Sequence, residues 1–571
     1  MARRYSTINI GGCHMKKVGF CIALLIGCIS MAYSQIPYLQ KNKYGATQLM
    51  VHGKPFLLIA GEAYNSSASS IRYMQELLPS LRQSGINTVL LPVAWEQIER
   101  KQGVFDFSHV TNQIKLARQH QLKLGILWFG SWKNGTSPYA PLWLLEDVDK
   151  YQRVKNAANE NTMTLSPFCE ATKQADKHAF AQLVKHIATI DAKENTVITI
   201  QVENEVGVFG QSKDLCSASL AAYNKPVPER LMAYMQKNKA QLETELHTAW
   251  QKNGYKNSGT WTEVFGKNET TDLFFMAWHY ASYLNEIAAE GKKQYALPMF
   301  VNCWMPATPL PNPRPNYTQP GTFPSGGPVI MVMDIWKAAA PAIDIVTPDI
   351  YGADFDLQSA FFHRYDNPLF IPETNPVPGR ATYTFGKHNA ICFSPFGIDD
   401  KHTLMKEEYS FLQQLMPLIT QYQGSTNLAG FYKHNNDSLL YETKLNEDVL
   451  IKIYAKRPYF RYNEMIDTAN SHVAYGLFVK VNDNDFFVAG KNIWVAAVSV
   501  NNQKTVWLKD AWQGEFKSGR WIPNALHNGD EAGFLWSKKT PVYRIKPQPT
   551  IQPCDNTEPA IFKFKALLYS K

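Results

Sequence analysis

The sequence predicts an α/β fold, a (β/α)₈ TIM barrel, followed by a C-terminal all-β, sandwich-like domain. Three observations over the 571 residues support this prediction. Short apolar segments alternate with amphipathic helical stretches up to about residue 425, polar and aromatic side chains follow these segments, and the remaining chain alternates apolar with polar residues. The barrel is therefore predicted at residues 35–425 and the β-rich domain at 426–571.

Eight apolar segments supply the predicted barrel strands. Most are nearly continuous in hydrophobicity, which is typical of parallel strands covered on both faces. Helical stretches such as 71–85 and 110–122 separate them, with apolar residues at three- and four-residue steps and Gly85 at the end of the first. Eight such units favour a closed barrel over an open sheet. The segments are 55–64, 88–95, 123–132, 197–205, 298–305, 343–352, 368–375 and 390–399.

The N-terminal residues 15–34 resemble a secretory signal. Two lysines precede an apolar run at 18–29 that is short for a membrane span, and Ala32–Ser34 fits a cleavage site. Cleavage after Ser34 predicts an exported protein, periplasmic or on the surface of a Gram-negative-type bacterium, and residues 1–14 are interpreted as an upstream extension. The alternative is a lipoprotein signal, and association with the outer membrane follows only if Cys28 is lipidated.

Charge and cysteine content argue against several partners and cofactors. The leader holds four basic residues and no acidic one, so the net charge of +9 falls to +5, which does not suggest nucleic-acid binding. The cysteines beyond residue 34 form no CxxC pair and the histidines show no HExxH spacing, so no metal and no cofactor is predicted. One disulfide, Cys169–Cys216, is left open, and the oligomeric state is not predicted.

Polar and aromatic residues cluster directly after the predicted strands, at the end that carries the active site in a (β/α)₈ barrel. A stretch with eight prolines at 306–328 is interpreted as a stiff wall beside this site, with an interdomain linker as the alternative. The clustered residues include Glu62, Tyr64, Asn65, Trp132, Asn134, Glu203, Asn204, Glu205, Trp304, Asp349, Tyr351 and Glu373.

The stretch 199–207, TIQVENEVG, brings carboxylates to the end of an apolar strand. Period-2 alternation places Gln201, Glu203 and Glu205 on one face, which we expect to line the barrel interior. The same alternation places Asn204 on the wrong side for a shared site, so a twist or bulge would have to redirect it. In the run PLFIPETNP, Glu373 likewise follows an apolar segment and is expected at the end of a strand.

Two strands thus each deliver a carboxyl group to one cavity, which is what glycoside cleavage requires. One carboxyl group must be protonated to release the leaving oxygen, and the other must be ionised to attack the anomeric carbon. A pair of structural, salt-bridged carboxylates is the alternative interpretation.

The motifs resemble those of glycoside hydrolase family 35, the β-galactosidases. QVENEVG at 201–207 is similar to the Gln-x-Glu-Asn-Glu-x-Gly stretch of that family, and WEQIERKQGVFDF at 95–107 to the stretch after its second strand. The β-rich segment that includes NDFFVAG looks like the domain attached to a bacterial branch of the family. Residues 35–425 would then be the catalytic domain.

This resemblance implies a role for each residue of the site. Glu205 would be the general acid/base, Glu373 the nucleophile, and Asn204 would bind the sugar 2-OH. Glu203 would bind substrate or pair with a neighbour. Tyr351 would donate a hydrogen bond to the nucleophile.

One position departs from the family pattern. Where many family 35 enzymes carry a sugar-binding Glu after the third strand, this chain has Ser131. Lys133, Asn134 or Glu62 is then expected to take over the contact. Tyr64 and Asn65 are further candidate ligands.

Two tryptophans are candidate sugar platforms. Trp132 and Trp304 follow the third and fifth predicted strands. Core packing is the alternative interpretation of both rings.

The predicted function is an exported, retaining exo-β-galactosidase that acts on a carbohydrate substrate. The alternatives are a retaining barrel enzyme of β-glucanase or mannanase type, or a carbohydrate-binding surface protein without turnover.

Overall fold

Eight parallel strands close into a barrel in the computed structural model, which describes residues 35–306, 319–352, 354–433, 439–455, 473–501, 504–527, 542–544 and 560–570. Each strand coincides with one of the eight predicted segments, which confirms the predicted fold class. Strands β1 to β6, in chain order, are Leu58–Glu62, Thr88–Ala94, Lys123–Lys133, Val197–Asn204, Met299–Trp304 and Ile345–Ile350. Strand β7 has two pieces, Phe370–Ile371 and Glu373–Thr374, and β8 is Cys392–Phe393.

The sheet closes on itself at β7. The first piece of β7 pairs with β8 through Phe370 and Cys392, and the second pairs with β6 through Glu373 and Asp349. Pro372 separates the two pieces and has no N–H group to donate to the ladder. Closure brings the C-terminal ends of all eight strands to one mouth.

Helix Ile71–Gln83 shows how local sequence sets the outer layer. Ser70 caps its first turn by accepting a hydrogen bond from the N–H of Tyr73. Gly85 follows the helix with φ +81°, and a Cβ there would lie 2.6 Å from the backbone nitrogen of Ser410, so only glycine fits. The other helices of seven or more residues are Ser108–Gln119, Glu170–Asp191, Ser217–Tyr223, Glu229–Lys237, Thr244–Lys252, Glu269–Gln294, Met333–Ala339, Phe355–Phe362, Arg380–Lys387 and Ile398–Tyr422.

Apolar side chains fill the inside of the barrel as well as the layer between strands and helices. An N-terminal antiparallel sheet, Tyr38–Lys41, Thr47–Val51 and Lys54–Phe56, adds Leu49 and Val51 to the interior cluster. The barrel is therefore a packed core below the mouth and not a pore. Interior residues include Leu58, Ala60, Leu90, Leu127, Phe129, Ile198, Phe300, Ile345, Phe370 and Cys392.

Two antiparallel sheets follow the barrel, as predicted for the C-terminal part. Helix Arg380–Lys387 packs against the first strand, where a Cβ on Gly386 would lie 2.5 Å from the nitrogen of Gly430. One sheet contains Leu428–Tyr432, Tyr475–Lys480, Asp485–Lys491, Ala560–Ser570, Lys504–Lys517 and Arg520–His527, and the other Leu439–Lys444, Val449–Tyr454, Trp494–Ser499 and Val542–Arg544.

Several sequence predictions fall outside the described residues. These are the leader with Cys28, and residues 307–318 of the proline-rich stretch. The end of that stretch is described, and Ser325 forms an antiparallel bridge with Val208 just beyond Glu205. This contact agrees with a wall beside the mouth. The boundary at residue 425 stays a prediction.

Cys169 and Cys216 are both free, buried thiols, so the disulfide left open between them does not form. Over the parts of the chain that the structure describes, every helix is too short or too polar to cross a membrane.

Candidate active site

Three buried carboxyl groups meet at the mouth of the barrel. Glu205 directly follows β4, Asp349 lies in β6, and Glu373 begins the second piece of β7. One oxygen from each lies within 4.8 Å of the other two. The predicted meeting of Glu205 and Glu373 is thus observed, and Asp349, which the sequence placed among the polar residues at the strand ends, is a third member.

The end of β4 redirects its side chains. Glu203 and Glu205 adopt positive φ values of +62° and +44°, and the pairing of β3 with β4 shifts register before Lys133 and Asn204. A left-handed residue breaks the period-2 alternation of a strand. Asn204 therefore reaches the mouth, where its side chain contacts Asn302, and the irregularity that this position required is present at the strand end.

Glu203 does not line the interior, so the predicted alternation is wrong at this residue. Its two carboxylate oxygens accept hydrogen bonds from the N–H groups of Ser131 and Trp132, at 3.0 and 2.7 Å. Burial, and then the nearby charge of Asp176, hold the pKa of Glu203 well above its usual range. Of the two expected roles, the geometry supports pairing with neighbours and not a substrate contact.

Asn302 at the end of β5 links the acid-bearing strands. Its Oδ1 accepts a 3.0 Å hydrogen bond from the N–H of Glu205, and its Nδ2 donates to Asp349 Oδ2 at 2.8 Å and to Asn204 Oδ1 at 3.1 Å. The same nitrogen lies 3.5 Å from Oε1 of Glu373. The sequence patterns assigned no role to Asn302; its position near the end of the fifth predicted strand was the available signal.

Tyr351 donates a 2.7 Å hydrogen bond from its hydroxyl to Oε2 of Glu373. Burial and the charge of Glu373 both raise the pKa of Tyr351, so the hydroxyl keeps its proton and stays a donor. The predicted hydrogen bond to this carboxylate is confirmed.

Electrostatics separate the roles of the three carboxyl groups. Burial raises the pKa of Glu205 to about 7, and the charge of Glu373 adds to this effect. Burial, followed by Glu373 and Glu205, also holds the pKa of Asp349 well above its usual value. Glu205 can therefore give up and take back a proton near neutral pH.

Lys133 adds one positive charge to this acidic site. Its Nζ lies 4.5 Å from the ring centroid of Phe129, which belongs to the interior cluster. Burial alone would lower the pKa of Lys133, yet the surrounding carboxylates, led by Glu373 and Glu62, hold it above its usual value. The ammonium group therefore stays charged at the centre of the site.

Glu62 ends β1 inside the barrel. It alternates with Leu58 and Ala60, which both belong to the interior cluster, and its side chain is fully buried. Burial, and then the charge of Glu373, hold the pKa of Glu62 well above its usual range. The predicted position of Glu62 at the site agrees with this geometry.

The prediction of Trp132 as a sugar platform is wrong. Its ring is 1% exposed, packs against Tyr280 and Tyr283, and donates through Nε1 to the carbonyl of Leu165 at 3.0 Å. Ser131 also turns away from the mouth, because its hydroxyl contacts Tyr283 and a carboxylate oxygen of helix Glu170–Asp191. The alternative of core packing is the correct one for Trp132.

Trp304 is 39% exposed at the end of β5. Phe209 lies 5.5 Å from it between ring centroids, and the two rings form an exposed aromatic pair. Trp304 therefore keeps the geometry of a platform, which is still a prediction.

The remaining candidate substrate-binding residues lie on the rim of the barrel mouth. Asn134 is exposed and its Oδ1 lies 3.3 Å from Nδ2 of Asn204. Tyr64 directs its hydroxyl to Asp400 at 3.1 Å, and Asn65 follows it in the chain. Substrate contacts by these three residues stay predictions.

The three carboxyl groups at the mouth are also close enough to hold a small cation. Because a second carboxyl group lies within 4.8 Å of Glu205, the same arrangement suits proton transfer and nucleophilic attack at a sugar carbon.

The chain is similar to known families over two segments. Residues 48–291 match the family model described as glycosyl hydrolases family 35, and residues 405–536 match a domain of unknown function, DUF5597. The first match includes Asn204 and Glu205 and confirms the resemblance that the motifs predict. Glu373 lies beyond the matched residues.

Curated relatives resemble part of the chain. Beta-galactosidase 14 of Arabidopsis thaliana is 28% identical over 193 residues, which are 32% of this chain and 20% of that protein. A beta-galactosidase of Xanthomonas manihotis is 28% identical over 186 residues, 31% of this chain and 28% of that protein. The match thus spans less than a third of either relative.

Among solved structures, a beta-galactosidase from Bacillus circulans sp. alkalophilus aligns with a TM-score of 0.42 at 14% identity. This alignment covers 63% of the present chain and 56% of that chain.

Proposed function

We propose that this protein, with its segment of glycoside hydrolase family 35, is a retaining exo-β-galactosidase that removes terminal β-linked galactose from oligo- or polysaccharides. The observation that carries the proposal is the approach of Glu205 and Glu373, whose nearest oxygens lie within 4.8 Å. Retaining glycosidases hold these groups roughly 5–5.5 Å apart, whereas inverting ones leave about 6.5–9.5 Å for a water molecule. The names of the curated relatives support galactose as the sugar.

In the first step, Glu373 attacks the anomeric carbon while Glu205 protonates the leaving oxygen. A pKa of about 7 leaves Glu205 protonated under neutral to mildly acidic conditions. The bond from the sugar to the leaving oxygen breaks as the bond to Glu373 forms. Tyr351 holds the attacking carboxylate in place through its 2.7 Å hydrogen bond.

In the second step, a water molecule displaces the carboxylate of Glu373 from the anomeric carbon. Glu205, now ionised, takes a proton from the water, which attacks and releases Glu373. Two inversions give net retention. Asn302 supports both steps because it fixes the backbone of Glu205 and the side chain of Asn204 together.

Exo action belongs to this proposal, and the burial of two side chains at the mouth supports it. Glu62 and Lys133, at the ends of β1 and β3, are both buried, as expected for a closed side of the site. The exposed Trp304 and Phe209 leave the other side open to the rest of a glycan. A closed pocket accepts a chain end, whereas an endo-acting enzyme needs an open cleft.

Export belongs to the same proposal. It is supported by the charged and apolar pattern of residues 15–34. Mass determination of the protein purified from fractionated cells tests it. A chain starting at Gln35 in the periplasmic fraction is expected, and an intact leader in the cytoplasm contradicts it.

The test is an assay of the purified protein on a panel of nitrophenyl glycosides, with Glu205→Gln and Glu373→Gln as variants. We expect release from the β-galactoside, strong loss in both variants, and a β-configured first product by proton NMR. An α-configured first product would refute retention.

If the protein prefers another sugar, its specificity differs from the one proposed here. Ser131, which stands where many family 35 enzymes carry a sugar-binding Glu, would then be a reason for the difference. Absence of turnover, with no covalent labelling by a 2-fluoro sugar, would favour a binding protein.

A further inference from the structure

Glu62 is a buried carboxyl group without the contacts that such a group needs. Its exposed fraction is 0%, and neither oxygen has a hydrogen-bond partner among the residues that the structure describes. A buried polar group without a hydrogen-bond partner destabilises the folded protein, and a charged one does so more strongly. Most buried polar side chains have a partner, so each exception calls for an explanation.

Other acceptors at the mouth share this property. Asp349 Oδ1 and Gln201 Oε1 are also buried and have no hydrogen-bond partner within the described ranges. Gln201 lies beneath Asn204, to which its Nε2 donates at 2.9 Å. Four acceptor atoms without donors, two of them on Glu62, indicate a ligand that carries several hydroxyl groups.

The order of the strands places Glu62 opposite the acid-bearing side. In a ring of eight strands, β1 lies across from β5, which carries Asn302; β4, which ends at Glu205, is three strands from β1, and β7, which carries Glu373, is two. A six-membered sugar ring held with its anomeric carbon between Glu205 and Glu373 points carbon 4 away from them. Carbon 4 then faces β1 and Glu62.

We propose that Glu62 binds the hydroxyl on carbon 4 of the bound sugar and so selects the configuration at that carbon. This inference rests on the proposed function, because the proposed catalytic pair fixes which end of the ring faces β1. Ser131 is not available for the same contact, since its hydroxyl lies 2.5 Å from Asp176 and 3.1 Å from Tyr283.

The test compares Glu62→Gln with the unsubstituted protein on nitrophenyl β-galactoside and on its 4-deoxy analogue. The variant keeps the shape of the side chain, and each preparation serves as its own control because both substrates meet the same enzyme. Glu76→Gln, on the exposed face of helix Ile71–Gln83, controls for expression and handling.

We expect kcat/KM on the galactoside to fall about 10- to 100-fold in Glu62→Gln, because the amide exchanges one acceptor oxygen for an NH2 group and weakens the hydrogen bond to the sugar hydroxyl. On the 4-deoxy analogue the change should stay below about threefold, because the contact is already absent. Equal losses on both substrates would overturn the inference.

Failure of the proposed function gives a different result from failure of this inference about Glu62. If the unsubstituted protein turns over a different glycoside, the comparison is repeated with the 4-deoxy form of that sugar. If it turns over none, calorimetry with galactose and 4-deoxygalactose replaces the assay. Weaker binding of galactose to Glu62→Gln, with no change for the deoxy sugar, supports the contact, and any other pattern refutes it.

Discussion

The hydroxyl of Tyr351 donates a 2.7 Å hydrogen bond to Oε2 of Glu373, and this contact joins the ends of neighbouring strands β6 and β7. Asp349 pairs directly with Glu373 in the ladder, so Tyr351, two residues later, lies beyond the strand end and reaches back. A hydrogen bond to a carboxylate is stronger than one between neutral groups. The bond therefore fixes the orientation of the proposed nucleophile.

Tyr351→Phe should lower kcat/KM about 10- to 100-fold while the protein stays folded. Tyr351 is 43% exposed, so the loss of one hydroxyl should leave the melting temperature nearly unchanged. Steady-state kinetics and calorimetry measure the two effects. Tyr365→Phe, on another exposed tyrosine, is the control. Unchanged kinetics in Tyr351→Phe would mean that the bond does not assist the nucleophile.

Lys133→Met should move the basic limb of the pH–activity profile to higher pH. Glu205 must be protonated to act as an acid, so kcat/KM should fall as pH rises through about 7. The charge of Lys133 lowers the pKa of Glu205, and its removal should raise that pKa. Activity profiles between pH 5 and 9, on both sides of the Glu205 pKa of about 7, measure this shift, with the surface variant Lys185→Met as control. A limb that stays in place or moves to lower pH contradicts the assignment.

The two tryptophans should respond in opposite ways. Trp132→Ala removes a ring packed between two tyrosines and should lower the free energy of unfolding by about 3–5 kcal/mol. Trp304→Ala removes an exposed ring and should change it by less than about 0.5 kcal/mol, while raising KM for an oligosaccharide. Urea titration and kinetics measure both. A stable Trp132→Ala protein with weakened substrate binding would restore the platform interpretation.

The protein should lose the stability that Glu408 contributes as the pH rises. Its buried carboxylate accepts 2.7 Å hydrogen bonds from Gly379 and Thr382, and burial still raises its pKa to about 7. Since the unfolded chain has the ordinary value of about 4.3, the native state holds the extra proton between these two pH values. The stability that Glu408 contributes is therefore complete below the lower value and is lost as pH rises through about 7.

Glu408→Gln should therefore flatten part of the pH dependence of stability, by up to about 1.4 kcal/mol per pH unit in that window. Urea midpoints at pH 5 and pH 8, on either side of the Glu408 pKa of about 7, measure the gap in stability between the two proteins. Other buried carboxyl groups affect both proteins equally. A gap that is the same at both pH values would show that Glu408 does not titrate there.

Much of the fold was predictable because its signals are local. Nearly continuous apolar segments, helical periodicity and Gly85 are properties of short stretches, and they specify eight strands and their helices without knowledge of the partners. The strand ends then follow, and with them the positions of Glu205 and Glu373. Hydrophobic periodicity does not depend on which strand lies next to which.

The sequence by itself thus determined the barrel and the two carboxyl-bearing strand ends, and only the tertiary structure decided how the surrounding side chains point. Glu203 turns outward because of a left-handed residue and a register shift against β3, which alternation along one strand does not contain. Trp132 is buried because helix Glu269–Gln294 places two tyrosines against it. Glu62 and Asn302 belong to one mouth because β1 and β5 come to opposite sides of the same ring only when the barrel closes.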